Sequence, residues 1–328
     1  MGFQAEDSRR NLGSSVSASF TAFDFRTKFG SRTFPSPIFT ASGCASSGKE
    51  LAQFFPLDEL GAVVTKSIAL KPRSGRPTPR MAETPSGMLN SIGLQGPGID
   101  QFLEIDIPWL ANKGARVIVS ISGESVEEYA SLARRLRNVP NISGIEVNIS
   151  CPNVENRGLV FACDPVASRD VVQGVRRNLG SESPIIVKLS PDVTDIVEIA
   201  RSVVDAGADG LALINTVLGM VIDIDTQRPK LAGKTGGLSG PAIRPIAVRA
   251  IYQVHAVLPQ TPILGMGGVS SGKDALEMIF AGASGISIGT ASFGNPSAAI
   301  KVKSELASLL QERGFSSLRD AVGVAHER

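Results

Sequence analysis

Asn148-Ile149-Ser150-Cys151-Pro152-Asn153 puts two amides, a hydroxyl and a thiol within six residues. The stretch follows an apolar run, Gly144-Ile145-Glu146-Val147, that reads as a short buried strand, and it breaks into a loop at Pro152. Side-chain amides in such a place hold a flat polar ligand through paired hydrogen bonds. A thiol beside them can accept a proton or attack carbon. Taken alone, Cys151 fits the commoner fate of a free cysteine, that of a small buried hydrophobe. Asn148, Ser150 and Asn153 weigh against that fate, because a dry core has no use for three polar neighbours.

A second chemistry stands near the end of the chain, in Gly265-Met266-Gly267-Gly268-Val269-Ser270-Ser271-Gly272 and in Gly289-Thr290. Glycines let a backbone approach a ligand closely, and the free N–H groups at a helix start attract anions. One such cluster serves equally well for a tight turn; two, after adjacent strands, favour a phosphate. Lys66 and Lys188 each close a short apolar run, Val63-Val64-Thr65-Lys66 and Ile185-Ile186-Val187-Lys188. A lysine at a strand end can be catalytic, can neutralise an anion or can extend to water. Two of them suggest a cationic rim over an electron-rich group.

These residues need strands to carry them. Short aliphatic runs suited to strands buried on both faces occur at 37–40, 62–66, 115–120, 144–148, 185–189, 210–214, 262–265 and 285–288. Helical stretches fall between them, at 49–55, 99–112, 125–137, 166–179, 195–206, 241–258, 272–281 and 295–313, with Ser125 and Asp195 suited to helix starts and Gly207 and Gly282 to stops. Eight strand–helix pairs predict an α/β fold, a single-domain (β/α)8 TIM barrel. An open doubly wound sheet also alternates strand and helix, but no GxGxxG follows the first strand. The organisation predicted is a flexible N-terminal arm over 1–30, a barrel over 31–315 and a C-terminal tail over 316–328. Three connections are long, 67–98, 149–165 and 215–240, and all follow strand ends, where barrels place their sites.

The bulk numbers narrow the classes. Net charge is +2, from 33 basic and 31 acidic residues, and no basic stripe with interleaved aromatics marks a nucleic-acid surface. No apolar run approaches the roughly 18 residues that span a bilayer. Cys44, Cys151 and Cys163 fit neither a disulfide framework nor a zinc site, which points to a reducing cytoplasm. His255, in a surface helix, and His326, in the tail, are the only histidines, so histidine triads and multi-histidine metal sites are poor readings. The serine-rich first 20 or so residues lack the apolar core of a secretory signal, and Glu6 and Asp7 disfavour a transit peptide; a solvated arm is expected.

Together these stretches resemble the dihydroorotate dehydrogenases, flavoprotein (β/α)8 barrels. The resemblance runs from Ala41-Ser42-Gly43 to Gly289-Thr290. It is carried by Gly75-Arg76-Pro77-Thr78-Pro79-Arg80, Asn90-Ser91-Ile92-Gly93-Leu94-Gln95, the Asn148–Asn153 loop, Ile214-Asn215-Thr216 and the two glycine pairs. A cysteine at the base position is similar to the soluble class 1 enzymes; the membrane-associated class has serine there. Within class 1, the run from Asn153 to Pro165 resembles type B, the NAD-linked form.

The resemblance implies the following. The barrel binds FMN. Cys151 is the general base that takes a proton from C5 of dihydroorotate, while hydride passes from C6 to N5 of FMN. Lys66, Asn90, Ser91, Ile92, Gly93, Leu94, Asn148, Asn153, Asn215 and Thr216 hold the substrate. Ser42, Lys66, Ser67, Ser120, Asn148, Lys188, Ile214, Gly240, Gly267, Gly268, Gly289 and Thr290 hold the flavin, with Lys188 at its electron-rich end. A homodimer is implied, together with a partner subunit carrying FAD and a [2Fe–2S] cluster. Relatives often have asparagine where this chain has Ser120, and asparagine where it has Arg76; the first departure bears on a flavin contact, the second on a loop. Alternatives are the fumarate-using type A homodimer, a dihydropyrimidine-type flavin dehydrogenase, and a non-redox barrel binding a phosphorylated precursor.

Overall fold

The computed structural model of the chain describes residues 23–150 and 161–326. Eight parallel strands form one sheet: β1 (Ile38–Thr40), β2 (Val63–Val64), β3 (Val117–Ile121), β4 (Ile142–Asn148), β5 (Ile185–Lys188), β6 (Gly210–Leu213), β7 (Ile263–Gly265) and β8 (Gly285–Ile288). Their order is β1-β8-β7-β6-β5-β4-β3-β2, so the first two strands are left at the two edges. The edges meet. Gly61 N–H donates to Ile38 O (2.7 Å), and the Thr40 hydroxyl donates to Val64 O (3.0 Å) while accepting from Val64 N–H (2.8 Å). A side chain thus stands in for the missing backbone ladder and closes the sheet into the (β/α)8 barrel expected from the eight-fold alternation.

The strands are aliphatic on both faces because both are covered. Inside, Phe39, Val64, Ile118, Ile186, Ala212, Leu264 and Met266 pack as one cluster with Phe29 and Phe34. Those last two come from an N-terminal hairpin, Thr27–Phe29 paired with Arg32–Phe34. Phe29, Phe34 and Phe39 meet edge-on, with ring centroids 5.2–6.2 Å apart, and are fully buried. They stopper the end of the lumen away from the strand C-termini.

Outside lie the helices: α1 (98–112, with a π-helical turn at Phe102–Asp106), α2 (Val126–Leu136), α3 (Pro165–Leu179), α4 (Ile196–Asp205), α5 (Arg244–Val257), α6 (Gly272–Ala281) and α7 (Ala298–Glu312). Their starts are capped as the sequence suggests. Ser125 accepts from Glu128 N–H, Asp195 from Val197 N–H, and Ser271 forms a reciprocal capping box with Asp274. No helix among the described residues is long and apolar enough to cross a membrane.

Three expectations need correction. The helix predicted over 49–55 is replaced by two single 3-10 turns, Leu51–Gln53 and Leu57–Glu59. The long connections 67–98 and 215–240 are not loops throughout: Met81–Thr84, Gly87–Asn90, Val217–Met220 and Thr235–Ser239 pair into a four-stranded antiparallel sheet. The arm's end is structured, since Thr27–Phe29 belongs to the hairpin that seals the barrel. The tail also docks: Leu318 N–H donates to Asp24 O (2.9 Å), and Leu318 and Ala321 are buried. His255 and His326 are brought together by that docking, with centroids 5.0 Å apart.

Candidate active site

A cavity of about 550 Å³ opens at the C-terminal ends of the strands. The parallel register sets its floor. Asn148, the last residue of β4, is level with Lys188, the last of β5, and both side chains enter the cavity. Lys188 is 4% exposed and its Nζ donates to Ser42 Oγ (3.0 Å), on the loop after β1. A neutral hydroxyl does not balance a buried ammonium, so this floor is suited to a ligand bringing an electron-rich edge. Lys66 and Ser67, after β2, line the wall beside it.

The amides are wired to one another. Asn215 Nδ2 donates to Ser150 O (3.1 Å) and Ser150 Oγ (2.8 Å). Ser150 donates to Asn148 Oδ1 from its backbone N–H (3.2 Å) and its hydroxyl (2.8 Å). Asn148 Nδ2 donates to Ser67 Oγ (2.9 Å), and Tyr129 Oη holds Asn148 O (2.7 Å). The two amides are thereby fixed before any ligand arrives.

The four-stranded sheet forms the roof and supplies Asn90 from its Gly87–Asn90 strand. Gly237 in the partner strand cannot be replaced cheaply, because a Cβ there would lie 2.0 Å from Thr216 Oγ1. Ile92, Gly93 and Leu94 follow Asn90 along the cavity wall. Their turn is held from behind by Arg76, whose N–H donates to Ile92 O (3.0 Å) and whose Nη1 donates to Ser91 Oγ (3.1 Å).

At the far end Gly240, Gly267, Gly268, Gly289 and Thr290 line the cavity, and Thr290 Oγ1 donates to Ser239 Oγ (2.8 Å). Gly268 has φ +75, and a Cβ there would sit 2.6 Å from Gly240 O. Ile214 and Thr216 complete the side of the cavity nearest β6.

Nearly all the residues singled out in the sequence therefore converge. Two do not face the cavity. Ser91 is buried behind its loop on Arg76, because alternation along that turn points Asn90 out and Ser91 in. Ser120 is fully buried one layer below, on Ser67 (2.9 Å) and Glu146 (2.8 Å), and is connected to the cavity through Ser67. Cys151 and Asn153 lie outside the described residues. The structure adds Cys44, Met81, Met88, Ser239, Ser287 and Phe293. Met81 and Met88 had a legible signal, the Thr84-Pro85-Ser86-Gly87 turn between two short runs. Burial pushes the Cys44 thiol above its ordinary value, with the charges of Lys188 and Lys66 pulling the other way.

A one-ended barrel with a cationic floor, paired amides and a glycine-built far end has the form of a (β/α)8 enzyme, with a cavity suited to an elongated anionic ligand. Comparison with known proteins is more specific. The family model for dihydroorotate dehydrogenase matches residues 25–310. The catalytic subunit of dihydroorotate dehydrogenase B (NAD(+)) from Geobacter sp. (strain M21) is 48% identical over 287 residues, covering 88% of this chain and 93% of that protein. The subunit of the same name from Geobacter sulfurreducens is 46% identical over 300 residues (92% and 97%). That from Desulforudis audaxviator is 49% identical over 294 residues (90% and 95%). The chain belongs to the dihydroorotate dehydrogenase family.

Proposed function

We infer that this chain is the catalytic subunit of an NAD-linked dihydroorotate dehydrogenase, oxidising dihydroorotate to orotate on the way to UMP, in the cytoplasm. The observation that carries the reading is the single cavity in which the Lys188–Ser42 floor, the Asn148–Asn215 amides and the Gly267–Gly268 and Gly289–Thr290 end lie together. Such a site fits FMN. Among the described residues the buried Lys188 ammonium donates to a neutral hydroxyl at 3.0 Å and suits the flavin's electron-rich edge, while the glycines let backbone amides close on its phosphate. Bound there, FMN supplies the acceptor for hydride.

The chain's own residues do the rest. Asn148 and Asn215 hold the pyrimidine ring by its amide and carbonyl groups, with Asn90, Gly93 and Leu94 closing over the carboxylate. Lys66 adds a cation next to Ser67, on the side where substrate and flavin meet. Cys151 takes the C5 proton as general base, and Asn153 is among the residues that hold the substrate. The roof sheet, bearing Met81 and Met88, keeps water from the reacting face.

We further propose a homodimer of barrels within a complex, in which a partner subunit with FAD and a [2Fe–2S] cluster passes the electrons to NAD. Similarity to three subunits named for NAD(+) favours this over direct use of fumarate. The test is a visible spectrum of the purified chain, followed by dihydroorotate under anaerobic conditions. A yellow protein bleached by dihydroorotate is expected; a colourless protein, or a flavin that dihydroorotate does not reduce, overturns the reading. NAD-dependent turnover only with the co-expressed partner is expected next, and fumarate-driven turnover by the chain alone would overturn the NAD-linked assignment.

A further inference from the structure

Glu146 is a carboxyl inside the barrel, on β4 two residues before Asn148, and it is 1% exposed. Its Oε1 accepts from Ser120 Oγ at 2.8 Å, and its Oε2 has no hydrogen-bond partner among the described residues. A buried carboxyl so poorly satisfied costs stability, and packing alone gives no reason to keep it. Its position supplies one. Ser120 lies across from Glu146 in the β3–β4 register, Ser67 touches Ser120 (2.9 Å), and Asn148 touches Ser67 (2.9 Å).

The donors and acceptors along this line form an ordered series. Ser120 Oγ donates to Glu146 Oε1, so its one hydrogen is committed there. Ser120 then accepts from Ser67, and Ser67 accepts from Asn148 Nδ2. At the other end the Ser150 backbone N–H can only donate, and it takes Asn148 Oδ1 (3.2 Å). Asn148 is therefore held between an obligate acceptor and an obligate donor, with its second N–H left for the cavity. Asn215 Nδ2 is spent on Ser150, which leaves its Oδ1 as acceptor. One amide donates and one accepts, as a ring with adjacent N–H and C=O groups requires.

We propose that Glu146 is a positioning residue for dihydroorotate oxidation, fixing the direction of the Asn148–Ser67–Ser120 chain and so the N–H that Asn148 presents to the cavity, with the Ser67 hydrogen committed to Ser120 and only its oxygen left to accept. This rests on the function inferred above. The experiment is anaerobic reduction of the FMN-loaded protein by dihydroorotate, followed in a stopped-flow spectrometer, for the wild type, Glu146→Leu, Glu146→Gln and Ser120→Ala. Bleaching of the wild type is measured first, and its failure counts against the function, not against Glu146. Glu146→Leu and Ser120→Ala are expected to lower the limiting rate about 10- to 100-fold with FMN still bound. Glu146→Gln keeps an acceptor for Ser120 and is expected to stay within about threefold of wild type. A wild-type rate in Glu146→Leu or Ser120→Ala overturns the proposal, as does a Glu146→Gln enzyme as slow as Glu146→Leu. Should Glu146→Leu fail to fold or lose FMN, the contrast between Ser120→Ala and Glu146→Gln decides by the same criteria.

Discussion

The Lys188 ammonium, at the end of β5, donates to the Ser42 hydroxyl at 3.0 Å, tying the barrel floor to a loop 146 residues earlier in the chain. The cation is buried, fixed and held by a neutral group, so its charge is aimed at whatever occupies the cavity. Preorganised charge of this kind acts most strongly where the reaction builds up the opposite charge.

Lys188→Met keeps most of the side chain's bulk and removes the charge. The rate of flavin reduction by dihydroorotate is expected to fall roughly 10²- to 10³-fold. Anaerobic stopped-flow absorbance measures it, and equilibrium dialysis of FMN separates weaker binding from slower chemistry.

Cys151→Ser is expected to slow the same reduction about 10²-fold or more while leaving FMN bound, because a thiol with its usual pKa of about 8.5 is partly thiolate near neutral pH whereas a serine hydroxyl stays protonated. The wild-type rate should rise with pH through the cysteine's pKa. A flat profile between about pH 6 and 9, with chemistry rate-limiting, would exclude Cys151 as the base.

Thr40→Val tests the barrel's seam. Valine fills the same space, but Val64 N–H and C=O then lose their shared partner in a fully buried place. Leaving two buried backbone groups unpaired is expected to cost roughly 2–6 kcal/mol. Urea denaturation followed by circular dichroism reads the loss, which should lower the midpoint without altering the slope.

The docked tail should be sensitive to acid. Burial, and then the nearby His326, hold the His255 imidazole below its ordinary pKa, and its buried Nδ1 has no hydrogen-bond partner among the described residues. His326 stacks on Tyr252 with centroids 3.9 Å apart and bonds Ala281 O through Nε2 (3.0 Å). A depressed folded-state pKa means the unfolded form binds the proton more readily. The stability contributed is therefore complete above about pH 6.5, the unfolded value, and is lost as pH falls through the folded one. Amide-exchange protection over 319–326, with the intrinsic pH dependence of exchange divided out, is expected to fall between about pH 7 and 5 well before that of the barrel strands.

Much of this architecture was legible in the residues. Eight aliphatic runs gave the barrel, and the lysines and glycines at their ends marked its mouth, because strand direction puts every strand terminus on one rim. Depth within the lumen was not legible. Ser120 and Ser67 look alike in sequence, yet one lines the cavity and the other lies beneath it on Glu146, a distinction set by the stagger of neighbouring strands. The roof was only half legible: the Thr84–Gly87 turn marks one hairpin, but the pairing of Gly87–Asn90 with Thr235–Ser239 spans about 150 residues of chain and has no local signal. The Thr40 seam was equally silent, since nothing local distinguishes a threonine that completes a ladder from one that fills a strand.

The aromatic stopper of Phe29, Phe34 and Phe39 turns the barrel into a blind cup. Molecules enter and leave by one rim, so the reduced substrate and the finished product must use the same doorway in turn. Turnover in such a vessel is a two-stroke cycle, in which each charge must be cleared from the doorway before the next is admitted.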